Sequence, residues 1–78
     1  MFDPTLSVLG KNIRRIRMLR GLSQEDLAEL SDKHRTYISL LEGGTRNPTV
    51  LTLKSLASAL ECNLTDFFLP EMEAQHEL

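Results

Sequence analysis

The stretch SQEDLAELSDKHRTYISLLEGG, residues 23–44, decides the fold because it encodes two short helices joined by a tight connection. Ser23 can cap the first of these helices, and Asp26 follows three residues later, as in a capping box. Ser31-Asp32-Lys33 is too short to form anything other than a turn. The second helix is predicted to end at Gly43-Gly44. These signals predict a helix, a tight turn and a second helix.

The sequence on both sides of this pair continues the helical pattern. A first helix is predicted to end at Arg20-Gly21, and the chain resumes at Pro48-Thr49 with another helix. Asn63 can cap a last short helix that Pro70 closes. The apolar positions that recur at helical spacing, and are predicted to face the core, are Leu6, Leu9, Ile13, Ile16, Leu27, Leu30, Ile38, Leu41, Leu53, Leu56, Ala57 and Leu60.

These segments predict an all-α protein, a compact five-helix bundle. With 78 residues the chain can hold one domain and one modest core. We predict that the domain spans residues 1–70, including the last helix, and that residues 71–78 form an acidic C-terminal tail.

Composition excludes several classes of function. No apolar run approaches the roughly 20 residues that cross a bilayer, and the amino terminus does not resemble a secretory signal. Cys62 is the single cysteine and the two histidines are scattered, so we predict no disulfide, metal or other cofactor. We find no nucleophile–base pair, phosphate-binding glycine loop or evident small-molecule site, so we predict that the protein is not an enzyme. The single cysteine and the absence of a signal or membrane span suit a reducing compartment, so we predict a cytoplasmic location.

The charges are segregated along the chain. Residues 1–54 hold all nine basic and six acidic residues, a formal charge of +3, whereas residues 55–78 hold five acidic residues and no basic one, a charge of −5. This asymmetry is compatible with a basic binding face and an acidic end turned away from it, or with a solvated surface of uneven charge.

The helix after the turn has one apolar and one polar side. At about 100° per residue, Ile38 and Leu41 lie on one side, and Arg35, Thr36 and Ser39 lie on the other. The B-DNA major groove admits one α-helix and distinguishes each base pair by its donors and acceptors. The guanidinium of Arg35 could bind N7 and O6 of guanine, and Thr36 could contact a base edge or a thymine methyl.

Other polar residues near this face are better suited to the DNA backbone. Gln24 lies at a helix N-terminus, where the N–H groups and the helix dipole favour an anion. The predicted phosphate contacts are Gln24, His34, Ser39, Thr45, Arg46 and Asn47.

The segment LSQEDLAELSDKHRTYISLLEGGTRNPT resembles the helix-turn-helix core of the lambda repressor/Cro-type family, also called the xenobiotic-response-element family. HRTYIS followed by RNPT is similar to the small controller proteins of restriction–modification systems. The resemblance covers about residues 9–69. It implies a helix-turn-helix formed by helices 2 and 3, and a homodimer that binds a near-palindromic operator in double-stranded DNA.

The resemblance also implies roles for individual residues. Arg35, Thr36 and Tyr37 match base-reading positions, although Tyr37 could equally be a core residue. Positions that contact phosphate are matched by Gln24, Ser39 and Asn47. The positions of Arg17 and Glu42 match a structural salt bridge. Two residues depart from the family: Asp32 replaces a glycine in the turn, where φ is often positive, and Lys33 replaces an apolar residue.

The last helix is predicted to mediate dimerisation. Adjacent aromatic residues on a helix face different directions, so one small core cannot easily bury both rings. We expect the ring of Phe68 to lie in a symmetric interface. The residues assigned to that interface are Leu64, Phe67, Phe68 and Leu69.

Three functions remain open at this stage. The first is an autoregulatory controller of a restriction–modification operon, for which RNA polymerase is a further candidate partner. The second is a phage-type repressor, or an antitoxin that represses its own operon. The third belongs to another class: a protein-docking module that binds its partner through the C-terminal aromatic helix.

Overall fold

The computed structural model describes residues 3–70, and within them every regular element is helical. Its elements are α1 (Pro4–Leu19), α2 (Gln24–Leu30), α3 (Arg35–Glu42), α4 (Val50–Leu60) and a 3-10 helix (Leu64–Phe68). The predicted all-α class is therefore confirmed. No helix in this part of the chain is both long and apolar enough to span a membrane. The predicted tail, residues 71–78, lies outside the described residues.

The prediction of five α-helices is wrong in its last member. Residues 3–70 contain four α-helices, and the fifth segment forms a 3-10 helix of five residues, Leu64–Phe68. Asn63 precedes this segment as predicted, and its N–H donates to the carboxylate of Asp66 at 2.9 Å, but its side chain makes no capping hydrogen bond. Leu69 and Pro70 follow the segment. The residue before a proline is restricted to extended backbone, and Leu69 adopts this conformation at φ −67° and ψ 137°. A segment confined between these two signals is too short for a stable α-helix.

The predicted caps around the first turn are present. Gly21 has φ +71° and ends α1. The Oγ of Ser23 accepts a hydrogen bond from the N–H of Asp26, and the carboxylate of Asp26 accepts one from the N–H of Ser23, both at 2.9 Å. The hydrogen bond from the backbone N–H of Ser23 to the carboxylate, with a further one from the Ser23 side chain, holds the pKa of Asp26 below its ordinary value. These bonds set the first residue of α2 at Gln24.

The turn between α2 and α3 has the predicted left-handed residue. Asp32 has φ +56°, a conformation that Asp tolerates better than most residues. The N–H of Lys33 then donates to the carbonyl of Ala28 at 2.8 Å, which closes the turn. Lys33 is half-buried. Asp32 therefore adopts the left-handed conformation that the turn needs, although it is not a glycine.

The core is formed by the apolar stripes of all five segments. Its fully or nearly fully buried members are Leu9, Ile13, Ile16, Leu27, Ala28, Ile38, Leu41, Leu53, Leu56, Ala57, Leu60 and Phe67. Two predicted core residues differ from expectation. Leu6 is only half-buried, and Leu30 is 61% exposed, because the chain leaves α2 at that point and none of the elements within residues 3–70 covers its outer side.

The close crossing of α1 and α3 depends on the absence of a side chain at Gly10. A Cβ atom at this position would lie 2.5 Å from the carbonyl oxygens of both Leu41 and Glu42. These carbonyls belong to the last turn of α3, so the backbone of α1 lies directly against the end of that helix. Gly10 thereby sets the depth at which α3 packs.

We predict that Gly10→Ala destabilises the protein by about 1–3 kcal/mol, because the added methyl group meets backbone atoms that cannot rotate away. Alanine is otherwise the better helix former by roughly 1 kcal/mol, so the sign of the change is informative. Gly43→Ala is the matched control, since its Cβ would approach other atoms only to 3.4 Å and its φ is −79°. Urea denaturation measures the free energy of unfolding of both variants. If Gly10→Ala is as stable as the natural chain or more stable, the close crossing of α1 and α3 is contradicted.

Candidate nucleic-acid interface

The polar face of α3 is exposed, as the sequence predicts. Arg35, Thr36 and Ser39 are all exposed, whereas Ile38 and Leu41 are completely buried on the opposite side. The burial of those two apolar residues fixes the rotation of the helix about its axis. The face it offers to solvent carries one cation, Arg35, and two hydroxyl groups.

The structure brings four predicted residues together in a shallow groove between α2 and α3. The groove has a volume of about 210 Å³ and is lined by Gln24, Arg35, Thr36, Ser39 and Leu40. Gln24 is the first residue of α2, so one edge of the groove is a helix N-terminus whose N–H groups favour an anion. The opposite edge is the polar face of α3. The residues predicted to contact base edges and those predicted to contact phosphate are therefore adjacent.

His34 and Tyr37 occupy different surroundings on α3. His34 is the exposed N-cap residue, and its side chain makes no capping hydrogen bond. Tyr37 is half-buried and packs against the core. A contact of Tyr37 with a base stays a prediction, and only its outer part is available for one.

The residues after α3 do not form one group. Thr45 donates its hydroxyl hydrogen to the carbonyl of Leu40 at 3.0 Å, so it terminates α3 while staying exposed. Arg46 is exposed. Asn47 lies beside the first turn of α1, in a cleft with Asp3, Thr5 and Leu6, and not in the α2–α3 groove. A phosphate contact of Asn47 would thus lie apart from the contacts made by that groove.

The predicted salt bridge between Arg17 and Glu42 is formed and is buried. The Nε of Arg17 donates to Oε2 of Glu42 at 2.7 Å, and its Nη2 donates to Oε1 at 3.0 Å, a bidentate arrangement. The side chains expose only 10% and 3% of their surfaces. Arg17 also donates from Nη1 to the carbonyl of Leu22 at 2.7 Å.

Sequence reasoning missed one member of this network. The amide Nε2 of Gln24 donates to Oε1 of Glu42 at 3.1 Å, so the predicted phosphate ligand is also a structural partner. A carboxylate at the end of α3 faces the negative end of the helix dipole, which is unfavourable unless cations or donors neutralise it. Arg17 and Gln24 supply that neutralisation, and they connect α1, the N-terminus of α2 and the C-terminus of α3.

The residues predicted for dimerisation differ in how far they are exposed. Phe67 is completely buried in the core of its own chain, so its assignment to a dimer interface is wrong: no part of its surface is left for a partner. Phe68 is 49% exposed, and Leu64 and Leu69 are half-buried. The Nδ2 of Asn12 donates to the carbonyls of Phe67 at 2.8 Å and Leu69 at 2.9 Å, which holds this segment on α1.

Comparison with known proteins agrees with this geometry. The family model described as helix-turn-helix matches residues 13–67. The chain belongs to the helix-turn-helix family. Among curated members, control protein C.SmaI of Serratia marcescens is 47% identical over 57 residues, which cover 73% of this chain and 68% of that protein.

Solved structures of the family are also similar. The restriction-modification controller protein C.AhdI from Aeromonas hydrophila has a TM-score of 0.82 at 36% identity, over 85% of this chain and 100% of that one. The controller protein C.Esp1396I, solved as a tetramer with its natural 35 base-pair operator, has a TM-score of 0.77 at 39% identity, over 85% of this chain and 87% of that one. This helix-turn-helix chain thus shares its fold with restriction-modification controllers.

We predict that Arg17→Ala lowers the free energy of unfolding by about 3–5 kcal/mol, because it leaves the buried carboxylate of Glu42 without its cation. Arg35→Ala is the control: it removes an equally long cation from the exposed face of α3 and should leave stability within about 0.5 kcal/mol of the natural chain. Urea denaturation of both variants tests this. If Arg17→Ala keeps its midpoint and loses only affinity for DNA, the structural role of the pair is refuted.

Proposed function

We propose that this protein is a transcriptional regulator that binds a specific sequence in double-stranded DNA and inserts α3 into the major groove. The observation that carries this proposal is the exposed face of Arg35, Thr36 and Ser39 on the second helix of the motif. A helix that docks on another protein needs an apolar outer face, and α3 has a polar one.

The groove between α2 and α3 suggests how the two kinds of contact would be divided. The guanidinium of Arg35 has two parallel donors that fit N7 and O6 of a guanine, a contact worth roughly 1–3 kcal/mol of discrimination. Thr36 offers a hydroxyl and a methyl to the neighbouring base pair. Ser39, His34 and the N-terminus of α2 would bind phosphates, which fix the position of α3 but do not read sequence.

We infer that the active species is a homodimer on a near-palindromic operator. One helix of eight residues contacts too few base pairs for a specific site, and a second copy related by a two-fold axis doubles them. The two copies of α3 would then enter successive major grooves about 34–36 Å apart. Phe68, which is half-exposed beside α1, is the aromatic residue available for the interface.

We further propose that the operon under control is a restriction–modification operon, because the similar proteins include C.SmaI, C.AhdI and C.Esp1396I. As a controller, the protein would bind upstream of its own gene, and RNA polymerase would be its partner in activation. A phage-type repressor or an antitoxin would use the same α3 surface, so the genes next to an operator distinguish these roles.

Salt dependence separates DNA binding from protein docking. Each phosphate neutralised by the protein contributes a slope of about −0.9 to the plot of log affinity against log salt concentration. Binding through the aromatic 3-10 helix to an apolar partner would vary little with salt. A slope near zero would therefore favour the protein-docking alternative.

We predict that selection from a random duplex library at physiological salt recovers a two-fold symmetric site with a guanine in each half. Arg35→Ala should lose the preference for that guanine, at a cost of about 1–3 kcal/mol per half-site. Lys54→Ala is the control, since it removes one exposed cation from α4 and leaves α3 unchanged. Recovery of no consensus sequence, or an unchanged preference in Arg35→Ala, would refute the assignment of the base-reading residue.

We predict that Phe68→Ala weakens dimerisation by roughly tenfold or more, the effect expected when an aromatic anchor at an interface is truncated. Sedimentation equilibrium at micromolar concentration measures the change. Leu30→Ala, which also shortens an exposed apolar side chain, is the control and should leave the dimer unchanged. A full dimer of Phe68→Ala at this concentration would exclude Phe68 from the interface.

A further inference from the structure

One side chain of the α2–α3 groove, Leu40, is apolar, and the contacts proposed above do not use it. Leu40 lines this groove together with four polar residues, Gln24, Arg35, Thr36 and Ser39. It is half-buried, yet in the part of the chain that the structure describes it is not among the half-buried apolar residues that pack against the core. Its apolar surface therefore faces the groove and not the interior of the protein.

The position of Leu40 is fixed by the end of α3. Its carbonyl accepts hydrogen bonds from the N–H and the hydroxyl group of Thr45, at 3.1 and 3.0 Å, and these bonds close the last turn. The neighbouring Leu41 is completely buried. Thr36 precedes Leu40 by four residues, so the two side chains share one face of the helix. They place a methyl group and an isobutyl group on a face that is otherwise polar.

An apolar side chain that faces DNA has one matching group among the base edges. In the major groove the bases present hydrogen-bond donors and acceptors, and thymine adds a C5 methyl group that apolar side chains contact. A phosphate next to Leu40 would lose hydration and gain no hydrogen bond, because leucine has no donor. Leu40 therefore suits a base edge and not the DNA backbone. A cytosine methylated at C5 presents the same methyl group at the same place.

We propose that Leu40 is a specificity-determining residue that binds the C5 methyl group of a pyrimidine in each half of the operator. This inference rests on the function proposed above and names a second group of the DNA that α3 reads. Leu40 lies five residues after Arg35, about 7.5 Å along the helix axis. Because successive base pairs are about 3.4 Å apart, the pyrimidine lies within about two base pairs of the guanine that Arg35 binds.

Replacement of thymine by uracil in the selected operator tests this contact, because it removes the C5 methyl group and leaves every donor and acceptor in place. Each thymine of a half-site is replaced in turn, with the same change in the other half. At one position the natural chain should lose affinity by about fourfold per half-site, the effect of one buried methyl group. Leu40→Ala should bind the thymine and uracil operators equally.

Two further variants separate a lost contact from a disturbed helix. Leu40→Met keeps an apolar side chain of similar volume and should keep the preference for thymine over uracil. Leu30→Ala truncates an exposed leucine at the end of α2 and should respond to uracil as the natural chain does. Urea denaturation of Leu40→Ala should give a midpoint close to that of the natural chain, because Leu40 does not pack against the core.

The source of the methyl group is identified with matched duplexes. Thymine is the source if uracil at one position per half-site weakens binding. A methylated cytosine is the source if no uracil replacement has an effect and C5 methylation of one cytosine per half-site strengthens binding by a similar factor. In both cases the effect must disappear in Leu40→Ala, which makes the comparison a double-mutant cycle between the side chain and the methyl group.

Two results would overturn the proposal. Affinity that responds to neither change would show that α3 binds no C5 methyl group. A response that is equally large in Leu40→Ala would assign the methyl contact to another residue. Failure to select any operator would refute the proposed function and this inference with it, whereas an operator without methyl dependence refutes this inference alone.

Discussion

The carboxylate of Glu42 is the point at which three helices are tied together. It lies at the end of α3, where the helix dipole alone would disfavour it, and it accepts hydrogen bonds from Arg17 of α1 and Gln24 of α2. Gly10 allows the backbone of α1 to reach the same turn of α3. The network therefore fixes the end of α3 and one edge of the α2–α3 groove together. The polar side chains of α3 can stay exposed, because the helix is held in place by this network and not by contacts of those side chains.

Much of this arrangement follows from short-range signals in the sequence. The Ser23–Asp26 capping box, Asp32 at positive φ and Gly21 after α1 each act over a few residues, so they could be identified without knowledge of the fold. The exposed face of α3 was predictable for a related reason: the spacing of Ile38 and Leu41 orients the helix, whatever packs against it. The Arg17–Glu42 pair was predictable only through the family resemblance.

The features that sequence reasoning missed depend on long-range packing. Periodicity places Phe67 and Phe68 on different sides, but only the contact with α1 determines which ring enters the core. Leu30 fits an apolar stripe, yet no element covers it. The bond from Gln24 to Glu42 spans 18 residues, so no local pattern indicates it. Local sequence patterns specify the helices and their caps, whereas long-range packing determines which side chains enter the core.

The central claim is that α3 reads base edges in the major groove from a position fixed by this network. Methylation interference on the selected operator tests it most directly, because N7 of guanine lies in the major groove and N3 of adenine in the minor groove. We predict that N7 methylation of one guanine per half-site, about one helical turn apart, prevents binding, and that Arg35→Ala is insensitive to it. Interference confined to adenine N3, or none at guanine N7, would contradict the account.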